Sequence, residues 1–172
     1  MRKSEITKKI SIKDDLLFLG LKILIFLTLL AITFLFIFGI FRCNNNMMSP
    51  AYKDGDLAIY YRLQKDYKPS DTVVVEKDGE KQIRRIIAKA GDTVDITDKG
   101  LKINGYLQQE NNIYTETLPY KEGIQFPITL GEGEYFVLAD NRTNAKDSRI
   151  YGIVKEKEIK GLIITLIRRR GL

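Results

Sequence analysis

Histidine is absent from this 172-residue chain, and cysteine occurs once, at Cys43. These two absences remove Ser-His-Asp hydrolysis, Cys-His hydrolysis, histidine metal sites and intrachain disulfides. What remains is oxygen, lysine or arginine chemistry, or no chemistry, and neither a metal nor another cofactor is expected. Charge of one sign is also not concentrated. The net charge is +6, but 28 basic residues interleave with 22 acidic ones, so no long basic stripe marks a nucleic-acid partner. An anionic membrane lipid surface accounts for the excess, because basic residues gather beside an apolar run and again at Arg168, Arg169 and Arg170. A solvated tail is the alternative reading of those arginines.

From Ile23 to Phe41 every residue is apolar except Thr28 and Thr33, whose hydroxyls can bond back to helical carbonyls. The run matches the roughly 20 residues that cross a hydrocarbon core. It exceeds the apolar core of a cleavable secretory signal, and Arg42-Cys43-Asn44 follows it without a small-residue exit. Bulky Phe41 and charged Arg42 also argue against lipidation of Cys43, which is expected as a free thiol at the membrane exit. Arg2, Lys3, Lys8, Lys9, Lys13 and Lys22 outweigh Glu5, Asp14 and Asp15 on the N-terminal side. The positive-inside rule therefore places the N-terminus in the cytoplasm and the rest outside. The expected organisation is a cytoplasmic segment (1–22), a single-pass cell-membrane anchor (23–41) and an extracytoplasmic domain (42–172).

Beyond Asn46 the pattern changes to short β-branched and aromatic runs. Leu57–Leu63, Thr72–Glu76, Gln82–Ala88, Thr93–Thr97, Leu101–Asn104, Glu134–Ala139 and Gly161–Ile167 read as strands. Asp78-Gly79 and Asp98-Lys99-Gly100 read as hairpin turns. No segment past the anchor holds a helical period, so the fold class is mainly β, a sheet system folded on itself. The polar stretch 108–123 lacks alternation and contains Pro119, which reads as a long excursion with room for mobility.

Four stretches occur in order. Met47-Met48-Ser49-Pro50-Ala51 precedes Asp54-Gly55-Asp56. Asp71-Thr72-Val73-Val74-Val75 comes next. Arg84-Arg85-Ile86-Ile87-Ala88-Lys89-Ala90-Gly91-Asp92 follows. Last come Ala139-Asp140-Asn141-Arg142, Ala145 and Asp147-Ser148-Arg149. Together they resemble the type I signal peptidases (peptidase family S26), membrane-bound serine peptidases that use a Ser-Lys dyad. The resemblance implies a signal-peptidase-like β domain. It also implies that Met47 stands at the nucleophile, Arg84 at the lysine base, and Ala145 at a serine that orients that lysine. A thioether has no proton to lose and forms no acyl intermediate. A guanidinium stays cationic and cannot act as the base.

The chain is therefore expected to be catalytically inactive. The chain resembles in particular the signal-peptidase-like proteins of Gram-positive pilus assembly clusters, which lack the dyad. That implies a chaperone-like role towards exported proteins, with pilin subunits and a pilus sortase as partners. The implied peptide groove comprises Asn45, Met48, Ser49, Pro50, Ile86, Asp140 and Asn141, with Arg85, Asp147 and Arg149 as a structural ion cluster. Three alternatives stay open: an active signal peptidase, a displaced Ser49–Lys89 dyad, and a structural membrane protein without a peptide site. Ser49 lies two extended positions, about 6–7 Å, past Met47, and Lys89 is an odd number of residues past Arg84 and so expected on the opposite face.

Overall fold

The computed structural model describes residues 2–110, 113–143 and 145–169, with side chains of the first helix described from residue 12. That helix, α1 (Arg2–Ile37), begins well before the apolar run. Its stretch Ile12–Ile37 is long and apolar enough to cross a membrane. Thr28 and Thr33 hydroxyls each donate to the carbonyl one turn back, Leu24 O and Leu29 O, at 2.8 Å.

The remainder forms a second compact unit from Phe38 onward. Its strands are β1 (Phe38–Arg42), β2 (Leu57–Tyr61), β3 (Thr72–Lys77), β4 (Glu80–Ala88), β5 (Thr93–Thr97), β6 (Gly100–Ile103) and β7 (Tyr106–Leu107). After these come β8 (Ile128–Thr129), β9 (Glu134–Leu138), the short helix α2 (Ser148–Tyr151), β10 (Val154–Lys155) and β11 (Ile159–Ile167). The helix thus stops four residues short of the expected end of the span, and Phe38–Phe41 belongs to a strand. Pairing with β2 explains this: Gly39 lies opposite Tyr60, and a Cβ there would stand 2.2 Å from the Tyr60 ring. Only glycine permits that approach.

The larger antiparallel sheet runs β1-β2-β11-β3-β4-β9-β10, and the smaller runs β7-β6-β5-β8. The β3–β4 hairpin closes through Asp78 and Gly79, both at positive φ, as a tight two-residue turn requires. In the second hairpin Gly100 is already the strand residue opposite Thr97.

One face of the larger sheet buries Val73, Val75, Ile86 and Val137, and the other buries Ala58, Ile83, Ala139 and Ala145 with Met48 and Cys43. A third cluster, including Val94, Leu101, Phe136 and Leu138, joins the smaller sheet to β9. β9 pairs with β4 only from Arg85 onward, so among the described residues Glu80–Arg84 has no strand on that side. The candidate site is built along this stretch.

Candidate functional site

The Met47 segment reaches β4 as a hydrogen-bonded loop. Asn45 Oδ1 accepts from Met47 N at 3.0 Å, and Asn46 O accepts from Ser49 N at 3.0 Å. The loop after β9 then clasps it: Asn141 N donates to Met47 O at 2.8 Å, and Asp140 N to the Met48 thioether at 3.3 Å. Met48 is buried and so lies beneath the loop.

These bonds present Met47 to Arg84. Arg84 Nη2 lies 3.4 Å from Met47 Sδ, and the same guanidinium donates to Lys146 O through Nη2 (2.6 Å) and Nε (3.2 Å), and to Ile83 O through Nη1 (2.6 Å). Arg84 is 1% exposed. These acceptors are two main-chain carbonyls and a sulfur, none of them charged. Burial lowers the Arg84 pKa, while Tyr151 and Asp147 nearby pull it up. Even so a guanidinium starts too high to serve as a base near neutral pH. Burial likewise pushes the Tyr151 phenol up, against the pull of Arg84.

Ala145 is fully buried beside Met48 and Ala139. Its N–H donates to Tyr120 Oη at 2.9 Å, and that hydroxyl donates to Arg142 O at 3.1 Å. Arg84 thus bonds both Met47 and the carbonyl of Lys146, the residue after Ala145, and Met47 packs against the cluster that holds Ala145, so three positions far apart in sequence, 47, 84 and 145, lie close together.

The expected ion cluster divides into two pairs. Arg149 and Asp147 form a fully buried bidentate pair at 3.0 and 2.9 Å, and Asp147 also caps α2 through Arg149 N and accepts from Ala139 N. Arg85 instead pairs with Asp140 at 2.7 and 2.6 Å. The hydrogen bonds to Asp140 raise the Arg85 pKa against the pull of burial. Successive residues of a strand face opposite sides, so Arg84, near Asp147, and Arg85 cannot share a partner.

The expected groove residues also separate. Asn45 borders a cavity of about 360 Å³ with Met47, Gln82, Arg84 and Lys146. Ser49, Pro50, Asp140 and Asn141 border another, of about 400 Å³, with Tyr114 and Thr115. Met47 borders the first, and its carbonyl is held by Asn141 of the second. Ile86 belongs to neither. It is fully buried against Val73 and Val75, because it shares their face of the sheet. Beside Cys43, Met48 and Gln82 only about 10 Å³ remains, room for a single water. Cys43 is buried in the core, and its thiol pKa is pushed by burial, with Asp56 adding to it, up to about 11.

Ser49 and Lys89 are not brought together. Lys89 Nζ pairs with Asp66 at 3.5 Å, while Ser49 faces the cavity that Thr115 and Asn141 share. The amine nearest in sequence to Ala145, Lys146, reaches out to Asp78 at 3.5 Å.

The excursion makes side-chain bonds to the domain where it is described. Buried Arg142 donates to Ala139 O, to Thr117 Oγ1 at 2.9 Å and to Glu110, and Arg142 N donates to Thr115 Oγ1 at 3.0 Å. Arg149 stacks on the Tyr120 ring at 4.4 Å. The roles of Arg142 and Tyr120 escaped the sequence, since each acts through partners distant along the chain.

Three comparisons bear on this arrangement. The family model for signal peptidase, peptidase S26, matches residues 16–167. Signal peptidase I of Bacillus licheniformis is 31% identical over 163 residues, covering 87% of each chain. Signal peptidase IB of Staphylococcus aureus (strain N315) is 27% identical over 170 residues, covering 88% of each. A crystal structure of a signal peptidase I from Enterococcus faecalis V583 matches with a TM-score of 0.48 at 28% identity, covering 58% of this chain and 98% of that one.

Proposed function

The chain belongs to the peptidase S26 signal peptidase family, and from that premise we propose that it binds exported proteins without cleaving them. The observation that carries the reading is the contact between Met47 and Arg84. At the position where the resemblance implies a nucleophile, a thioether accepts a hydrogen bond from a permanent cation, and neither group can supply an alkoxide or take its proton. Ala145, in the cluster against which Met47 packs, brings no side-chain hydroxyl to the site.

In this reading the chain is anchored by α1 with its N-terminus in the cytoplasm, as the flanking charges favour. The domain outside holds an extended segment of an exported protein along the unpaired stretch of β4 beside the Asn45 cavity, by strand addition. Pilin subunits are the proposed clients, with a pilus sortase as the enzyme that joins them, a chaperone-like step in pilus assembly. The resemblance to dyad-lacking pilus assembly proteins supports this narrower assignment.

The test is a photocrosslinker placed at position 47 of the full-length chain in cells. Capture of pilin subunits there, and not from a probe at the distant exposed Tyr106, is the expected result. Capture of no exported protein at position 47 overturns the reading.

An active signal peptidase is the second reading. The names of its relatives favour it, and so does Ser49 on a cavity wall. Cleavage of a pre-protein by the purified chain separates the two.

A further inference from the structure

The sulfur atoms gathered near the candidate site differ in what surrounds them. Met48 is 3% exposed, and its thioether accepts from Asp140 N at 3.3 Å beneath the loop. Cys43 is buried beside it. Met47 is partly buried and borders the cavity of about 360 Å³ that Asn45, Gln82 and Lys146 share. A small solute in that cavity therefore meets the Met47 side chain before either neighbouring sulfur.

The donor that faces this sulfur is mismatched to it. A thioether is a weak acceptor, yet it lies 3.4 Å from Nη2 of a guanidinium that is 1% exposed. The carbonyls of Lys146 and Ile83, which the same guanidinium also bonds, carry no charge. Arg84 is thus a buried cation that makes no ion pair among the described residues. A sulfoxide oxygen carries partial negative charge and is a far better acceptor than sulfur. Hydrogen bonds from an ionised donor are about twice as strong as those between neutral groups. Oxidation ordinarily loosens a packed methionine, because it turns an apolar side chain polar. Beside Arg84 the polar product has a charged partner already in place.

We propose that Met47 is a modification site for peroxide, and that Arg84 cradles the sulfoxide oxygen formed there. A lone pair of the sulfur attacks one oxygen of hydrogen peroxide. The S–O bond forms as the O–O bond breaks, and hydroxide leaves. That hydroxide takes the proton remaining on the sulfur-bound oxygen, so the products are Met47 sulfoxide and water. The sulfur loses the two electrons that the peroxide gains. The cavity gives the side chain room to draw back and admit the oxygen between sulfur and Nη2. Oxidation then fastens the Met47 loop to β4 more strongly than the thioether does, whether or not the groove holds a client.

The test exposes the purified full-length chain, in detergent, to dilute hydrogen peroxide, and fragment-ion mass spectrometry assigns the added oxygen to position 47 or 48. Met47 is expected to gain oxygen severalfold faster than Met48, and the difference to vanish in the guanidinium-unfolded chain. Equal rates in the folded chain overturn the site. Thermal unfolding tests the cradle. The oxidised chain is expected to unfold several degrees higher than the untreated one, with no such shift in peroxide-treated Met47→Leu. Met47→Gln, whose side-chain carbonyl stands in for the sulfoxide oxygen, is expected to raise the midpoint without peroxide. A midpoint at or below that of the untreated chain, in either the oxidised chain or Met47→Gln, overturns the cradle. So does a rise that Met47→Leu shares.

Discussion

Met47 Sδ and Arg84 Nη2 lie 3.4 Å apart, and the same guanidinium also donates to the carbonyls of Lys146 and Ile83. Arg84 is thus a structural brace between β4, the Met47 loop and the loop before α2. Arg84→Ala is expected to leave those carbonyls without donors in a buried setting, at a cost of about 1–3 kcal/mol for each group left unsatisfied. Thermal unfolding of the detergent-solubilised chain checks this, and an unchanged midpoint excludes the brace.

On the proposed reading, cleavage is restorable if only the reactive groups have changed. Met47→Ser, Arg84→Lys and Ala145→Ser together are expected to confer slow cleavage of a pre-protein, because Arg84 bonds Met47 and the carbonyl next to Ala145, and Met47 packs against the cluster that holds Ala145. Each single change is expected to give none, since a nucleophile and its base act as a unit. Absence of cleavage by a folded triple variant removes support for an inherited groove.

Asp147 and Arg149 are buried at 0% and 1% side-chain exposure. Removing one partner strands the other charge, so Asp147→Asn is expected to destabilise the domain by about 3–5 kcal/mol. It also weakens the cap of α2. Asp140→Asn is expected to cost less, because Arg85 is 25% exposed and its charge stays partly solvated. Unfolding midpoints of the two variants rank them.

How far the sequence carried the fold is visible in which residues it placed. β5 lies where its β-branched run put it, and β2, β3, β4, β6 and β9 lie within two residues of their expected ends, because β-branched and aromatic runs between turn residues mark strands whether one face is buried or both. The order of four motifs likewise singled out Met47, Arg84 and Ala145, which the structure places near one another. β1 was hidden because its Phe38–Phe41 stretch continues the apolar composition of the membrane span. The division of Arg85 from Asp147, and the burial of Ile86, depend on which side of β4 each residue faces. Motif order alone does not carry that information. The anchoring of the excursion depends on Arg142, whose partners Glu110, Thr115 and Thr117 precede it by more than twenty residues and leave no local pattern.

The Arg142 guanidinium ties that excursion through Thr117 and Glu110, beside main-chain bonds to Thr115 and Tyr120 that the side chain does not make. Arg142→Ala is expected to speed proteolysis within 113–118 severalfold without exposing the core strands, as a locally untied loop should. Digestion followed by mass spectrometry reads the cleavage sites, and an unaltered pattern argues against the strap.

Cys43 gives a pH signature. Burial raises its thiol from an ordinary value of 9.0 to about 11, so the native thiol is expected to resist alkylation at pH 8 and to react fully once unfolded. The folded state keeps the proton longer than the unfolded one. The thiol's contribution to stability is therefore complete below pH 9 and lost as pH rises towards 11. Rapid native-state labelling at pH 8 contradicts the burial of Cys43.

The most direct measurement of the central claim is incubation of the purified full-length chain, in detergent, with a pre-protein bearing an intact signal peptide. The account predicts no time-dependent cleavage. Cleavage that Ser49→Ala abolishes contradicts it.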